Sequence, residues 1–274
     1  MSGYRLMATT FLPLAILSSA TNAMASPDDN MLHKQLERVA QQKIFFGHQS
    51  VGVNLLDGIK QLANFTGVPL RIVEVADAKF VEPGMIGQTF IAENGYPLKK
   101  LKNFETAMGQ NKTGVDIALM KFCFIDFTAD TDAKMLFSNY QATIQTLKLK
   151  NPNTHFVHVT APLTIVEGGL MAKFKYFLGI APLYGTYENL RRDEYNILVR
   201  QTYKGHEPLF DLARVESTKE DGSLEKVSWK GKDIPVLIPA YSDDGGHLND
   251  IGKNLASREL IRVLASVPNH PVNK

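Results

Sequence analysis

A single cysteine in 274 residues excludes an intramolecular disulfide, so the core of this chain must hold without covalent staples. Excess charge is also lacking. The formal net charge is +2 and no run reaches five like charges, so the overall balance implies neither nucleic acid nor an anionic membrane as partner. Ligand spacing for a metal is missing too. His33, His155, His158, His206 and His270 form no close pair except His155 and His158, and three positions along a strand turn those two to opposite faces. Glycine-rich nucleotide fingerprints are absent, since Gly84-Met-Ile-Gly87 does not have that spacing. No cofactor is therefore expected. With no internal repeat and no linker-like stretch, residues 26–274 read as one domain.

What is present is ordinary globular material, 44% hydrophobic and 21% charged. The first 25 residues stand apart. Arg5 precedes an apolar stretch from Leu6 to Ala20, and Ala23-Met24-Ala25 supplies the small-x-small pattern of a signal-peptidase site. The stretch is too short, and too interrupted by Pro13, for a stable membrane span. A signal peptide cleaved after Ala25 and an exported, periplasmic or secreted protein are expected.

Beyond the leader, strand-like and helix-like patterns alternate. Leu32 to Ala40 reads as a leading helix, and Lys43 to Gly47 as a buried strand ending in its turn. Helical spacing from Val53 to Leu62 follows. Leu70–Val75 is the second strand, Asp116–Phe124 the third, Thr154–Thr160 the fourth, and Leu209–Leu212 a candidate fifth. Helices are expected over Leu98–Met108, Ala133–Lys148, Tyr187–Tyr203 and Ile251–Leu264. Such alternation argues an α/β fold, a parallel sheet covered on both faces. Cys123 falls in the third strand and reads as a buried structural thiol. Two segments break the pattern: Thr164–Tyr184, either surface packing or a substrate-binding element, and Val215–Ala240, whose Ile234–Pro239 reads as part of a hairpin.

In an open parallel sheet, ligands bind beyond the carboxyl ends of the strands. Gly47-His48-Gln49-Ser50-Val51-Gly52 lies where the first strand ends and the first long helix begins. A serine there offers its hydroxyl at the sheet edge and its amide at a helix N-terminus, favourable for developing negative charge. The same position also suits a plain N-cap. Near the other end, Asp244-Gly-Gly-His247-Leu-Asn249 precedes the closing helix. An acid three residues before a histidine on one turn can fix the imidazole tautomer, while Asn249 or Asp250 caps the helix.

This combination resembles the SGNH, or GDSL-type, hydrolase family, in which a serine follows the first strand and an Asp-x-x-His pair precedes the final helix. The resemblance implies a three-layer α/β/α sandwich with a central parallel sheet of flavodoxin-like architecture. It implies Ser50 as nucleophile, His247 as its base and Asp244 as the residue orienting His247. Oxyanion donors would be the Ser50 amide and the block Glu93-Asn94-Gly95. Where the family carries Gly-x-Asn, this chain has Lys121-Phe122-Cys123-Phe124-Ile125-Asp126. Either Asn94 or Lys121 would then substitute as donor or turnover would be weak, Lys121 at a strand end being more often a solvated residue or an ion partner, here of Asp126, than an oxyanion donor. His48 and Gln49 either line the pocket or pack. The expected activity is hydrolysis of an acyl ester, such as an acetyl ester, of a carbohydrate or small molecule. An O-acyltransferase acting on exported polysaccharide, or a non-catalytic carbohydrate-binding module on the same scaffold, are the alternatives.

Overall fold

A computed structural model describes residues 27–109 and 113–268. The leader expected over residues 1–25 lies outside them. Eight α-helices and eight strands among the described residues follow the order α1 (Pro27–Val39), β1 (Lys43–His48), α2 (Val51–Thr66), β2 (Arg71–Glu74), β3 (Met85–Phe90), α3 (Pro97–Met108), β4 (Ile117–Met120) and α4 (Ala133–Lys150). Then come β5 (His155–Val159), α5 (Leu170–Phe177), α6 (Thr186–Tyr203), β6 (Leu209–Phe210), α7 (Leu212–Ser217), β7 (Lys226–Trp229), β8 (Lys232–Pro235) and α8 (Asp250–Ser266).

Six strands form one all-parallel sheet in the order β2-β3-β1-β4-β5-β6. Alternate strand residues face opposite layers, as a period of two requires. Ile44, Phe46, Ile117, Leu119 and Val157 pack with α1, α2 and α8. Phe45, Ala118, Met120 and Phe156 face α3, α4 and α6. The result is an α/β/α sandwich whose central strands β1 and β4 are apolar on both faces, as buried parallel strands are.

Five of the six strands coincide with sequence-predicted ones. The exception is β3, which pairs with β1 on one side and β2 on the other. Its sequence Met-Ile-Gly-Gln-Thr-Phe mixes the strand formers Ile, Thr and Phe with Gly and Gln and lacks a clear alternation, and pairing on both edges makes it a strand. Without the edge strand β2 the remaining order is flavodoxin-like, and chain direction across the sheet reverses between β1 and β4. That reversal is the topological switch point, where a crevice opens beyond the strand ends.

Two other boundaries differ from expectation. The strand expected through Phe124 stops at Met120, so Cys123 is a loop residue past the end of β4. The hairpin turns at Lys230-Gly231, both at positive φ (49° and 77°) as a two-residue hairpin turn demands, and takes only Ile234-Pro235 from the expected run. Val227, Trp229, Ile234 and Val236 of this hairpin form a small separate cluster with Val166, Tyr176, Tyr187 and Leu190. No helix among the described residues is long and apolar enough to cross a membrane.

Candidate active site

Ser50 occupies the junction between β1 and α2 at φ 27°, ψ −89°, a region that few residues with a side chain adopt. Its hydroxyl makes no capping bond to the helix it precedes. The N-cap alternative therefore does not describe this serine. The side chain turns instead to Cys123, with Oγ 3.4 Å from Sγ. This contact spans β1 and β4 across the switch point. Close approach of α2 to the strand end requires Gly52, where a Cβ would fall 2.4 Å from His48.

At the other end of the chain, the turn before α8 builds the acid–histidine pair. Asp244 Oδ1 accepts the amides of Gly246 (3.0 Å) and His247 (2.8 Å), and Oδ2 lies 2.6 Å from His247 Nδ1. Desolvation opposes ionisation of this carboxyl, but the two amides and the imidazole outweigh it and hold it well below the usual carboxylate range. An ionised carboxylate can only accept, so Nδ1 carries the proton and Nε2 is left as a base. Asn249 caps α8 by accepting from Ile251 and Gly252, which frees His247 to project from the loop.

Among the described residues the Ser50 hydroxyl bonds Cys123 and not His247, and two contacts connect the neighbourhoods of the two residues. Phe124, next to Cys123, packs edge-on to the His247 ring at 5.4 Å between centroids. Asn54, one helical turn beyond Ser50, accepts the Leu248 amide at 3.2 Å. Gly246 is required here, because a Cβ would lie 2.7 Å from the Phe124 ring. A cleft of about 400 Å³ opens on the His247 side, walled by Phe124, Ile125, Glu167, Tyr184, Arg192 and the 244–247 turn. Ser50 is not part of that wall.

The expected oxyanion residues occupy distinct environments. Gly95 donates its amide to Asp126 Oδ1 at 2.8 Å. Lys121 is buried and gives its ammonium to the Phe122 carbonyl at 3.0 Å, with burial pushing its pKa down to about 8. It is neither solvated nor bonded to Asp126. The ion partner of Asp126 is Lys100, at 2.7 Å, with both side chains fully buried. Lys100 also donates to Asn94 Oδ1 at 2.8 Å, so the Asn94 oxygen is engaged and its NH₂ group remains as a donor. Asp126 further accepts the Cys123 amide at 2.6 Å. One carboxylate thus ties the β3–α3 loop to the β4 loop.

His48 packs rather than lining a surface pocket. It is fully buried between Phe46 and Phe90, with Nε2 2.8 Å from Gln88 Oε1 and Nδ1 unpartnered. Gln49 bonds the Ala92 carbonyl at 2.6 Å and latches the Ser50 turn to the β3–α3 loop. Asn54, Lys100 and the bracing role of Asp126 were not found by sequence reasoning. Only Asn54 carried a signal, its four-residue spacing from Ser50 along a helix.

Burial, and then the nearby Lys121 charge, push the His48 pKa down from 6.5 to about 4. Above pH 6.5 the imidazole is neutral whether folded or not, and His48 leaves stability independent of pH. Below it the unfolded chain binds a proton that the folded state refuses. Stability should therefore fall as pH drops from 6.5 to 4, by about 3 kcal/mol from this one group. Urea unfolding at pH 7, 5 and 4 tests this. The curve for His48→Gln should be flatter by that amount, and parallel curves would contradict it.

No family model and no curated protein matches the chain. Among solved structures it is similar to a Streptococcus pneumonia protein provisionally assigned as a platelet activating factor, at 14% identity and TM-score 0.48, covering 86% of this chain and 92% of that one. A Desulfitobacterium hafniense DCB-2 protein provisionally placed among lipolytic proteins of the G-D-S-L family aligns at 8% identity and TM-score 0.46, covering 81% and 99%. The periplasmic domain of a lipopolysaccharide acetyltransferase from Salmonella ser. Paratyphi A aligns at 16% identity and TM-score 0.42, covering 87% and 97%. Likenesses this distant carry no functional weight, which rests on the residues themselves.

Proposed function

We propose that this chain is an exported serine ester hydrolase of SGNH/GDSL type, removing an acyl group such as acetyl from a carbohydrate or small-molecule ester. The observation that carries the reading is Ser50 held at positive φ with its hydroxyl uncommitted to the helix, on the same rim as the Asp244–His247 pair. Strain of that kind is kept where the surrounding structure needs one geometry.

In this reading His247 Nε2 takes the Ser50 proton as Oγ attacks the ester carbonyl. Asp244 stabilises the imidazolium without accepting a proton itself. The developing oxyanion is met by the Ser50 amide at the start of α2 and by the NH₂ of Asn94, whose oxygen Lys100 holds. Cys123 stands beside Ser50 in the segment where the family carries an asparagine, and a thiol is a weak donor. His247 then protonates the leaving alcohol. Water, or a sugar hydroxyl in an acyl transfer, releases the acyl group and regenerates Ser50.

A second reading has its own support. The Gly95 amide and the Lys121 ammonium are already engaged, so two expected donors are not available, which favours a carbohydrate-binding module without turnover. Release of p-nitrophenol from p-nitrophenyl acetate by the chain and by Ser50→Ala decides between them. The proposal expects turnover that Ser50→Ala abolishes, whereas equal rates overturn it. Repeating the assay with an acceptor sugar separates hydrolysis from transfer by whether acetylated sugar accumulates.

A further inference from the structure

The segment 168–184 leaves the body of the protein at the rim of the cleft. Glu167 and Tyr184, which line the cleft, pair with each other at its base. Between them α5 is fixed by one face only. Ala172 lies against Gly168, and Tyr176 stacks on Trp229 at 5.8 Å while donating to the Ser228 carbonyl at 2.5 Å. The opposite face is apolar and uncovered. Leu170 is 90% exposed and Phe177 84%, and Met171, Phe174, Leu178 and Ile180 are exposed beside them. An ordinary surface helix turns its apolar stripe inward, and α5 does the reverse.

Charge identifies what such a face fits. Residues 168–184 contain Lys173 and Lys175 and no acid. Lys230 stands over the Trp229 ring on which Tyr176 stacks. None of these three lysines makes an ion pair among the described residues. A second copy of this chain would bring like charges together here, whereas anionic headgroups would meet each lysine while the apolar residues enter the acyl region. The small net charge of the whole molecule conceals this local cluster.

We propose that the outer face of α5 docks the protein on an anionic phospholipid surface, with the cleft mouth held beside it. This goes beyond the ester-hydrolase reading and does not depend on turnover.

The test uses the full chain with vesicles of phosphatidylcholine alone and of phosphatidylcholine with phosphatidylglycerol. On the anionic vesicles the protein should float, and amide exchange over residues 169–180 should slow by roughly tenfold or more. Both effects should be lost in the triple variant Leu170→Ser, Phe174→Ser, Phe177→Ser, and weakened in Lys173→Glu with Lys175→Glu. All five positions are exposed, so unchanged circular dichroism is expected for both variants. Exchange over 169–180 that does not respond to anionic vesicles overturns the proposal, whether or not the protein floats. So does a concentration-dependent dimer in sedimentation that the triple variant removes, since a second copy would then cover the face.

Discussion

His247→Ala is expected to lower kcat on p-nitrophenyl acetate by about a thousandfold or more, with KM little changed. In the proposed mechanism the imidazole is the group that takes the Ser50 proton. Asp244→Asn should cost less, about ten- to a hundredfold. The asparagine amide can still accept at one atom, but it no longer stabilises imidazolium. The pair is also 42% (His247) and 56% (Asp244) exposed, so water screens the carboxylate and partly replaces it. The ordering of the two losses reports the division of labour between base and orienting acid. Equal losses, or a loss below tenfold for His247→Ala, would contradict the assignment.

The second large effect is on stability. Asp126→Ala should destabilise the fold by about 3–5 kcal/mol, because it leaves the fully buried Lys100 ammonium unpaired. It also orphans the amides of Cys123 and Gly95, both of which Asp126 accepts. Those amides belong to the two loops that flank Ser50, so the loss is expected to loosen the site along with the fold. Lys100→Met combined with Asp126→Ala should be less destabilising than the two single changes added together, since no buried charge then remains. Urea unfolding of the four proteins gives the coupling. An Asp126→Ala loss under 1 kcal/mol would show that water relieves Lys100.

Features set by local sequence were legible beforehand. Apolar spacing marked α2, α4 and α6, and the dipeptide of glycines between Asp244 and His247 marked a turn able to bring acid and imidazole together. The position of Ser50 followed from a strand run ending in glycine just before a helical pattern. Long-range choices were not legible. β3 owes its existence to partners at Lys43–His48 and Arg71–Glu74, and nothing in Met85–Phe90 announces them. Lys100 selects Asp126 although Lys121 is nearer in sequence, because α3 delivers its ammonium beneath the β4 loop while Lys121 turns to the Phe122 carbonyl. The thiol of Cys123 faces Ser50 because β4 ends four residues earlier than its apolar run suggests.

That thiol also sets the sharpest question, since two nucleophilic atoms lie 3.4 Å apart. Labelling with a fluorophosphonate, followed by peptide mass spectrometry, asks which of them reacts. A single phosphonyl adduct on Ser50, absent after His247→Ala, is the result expected from a serine activated by the Asp244–His247 pair. An adduct on Cys123, or labelling that survives Ser50→Ala undiminished, would contradict it.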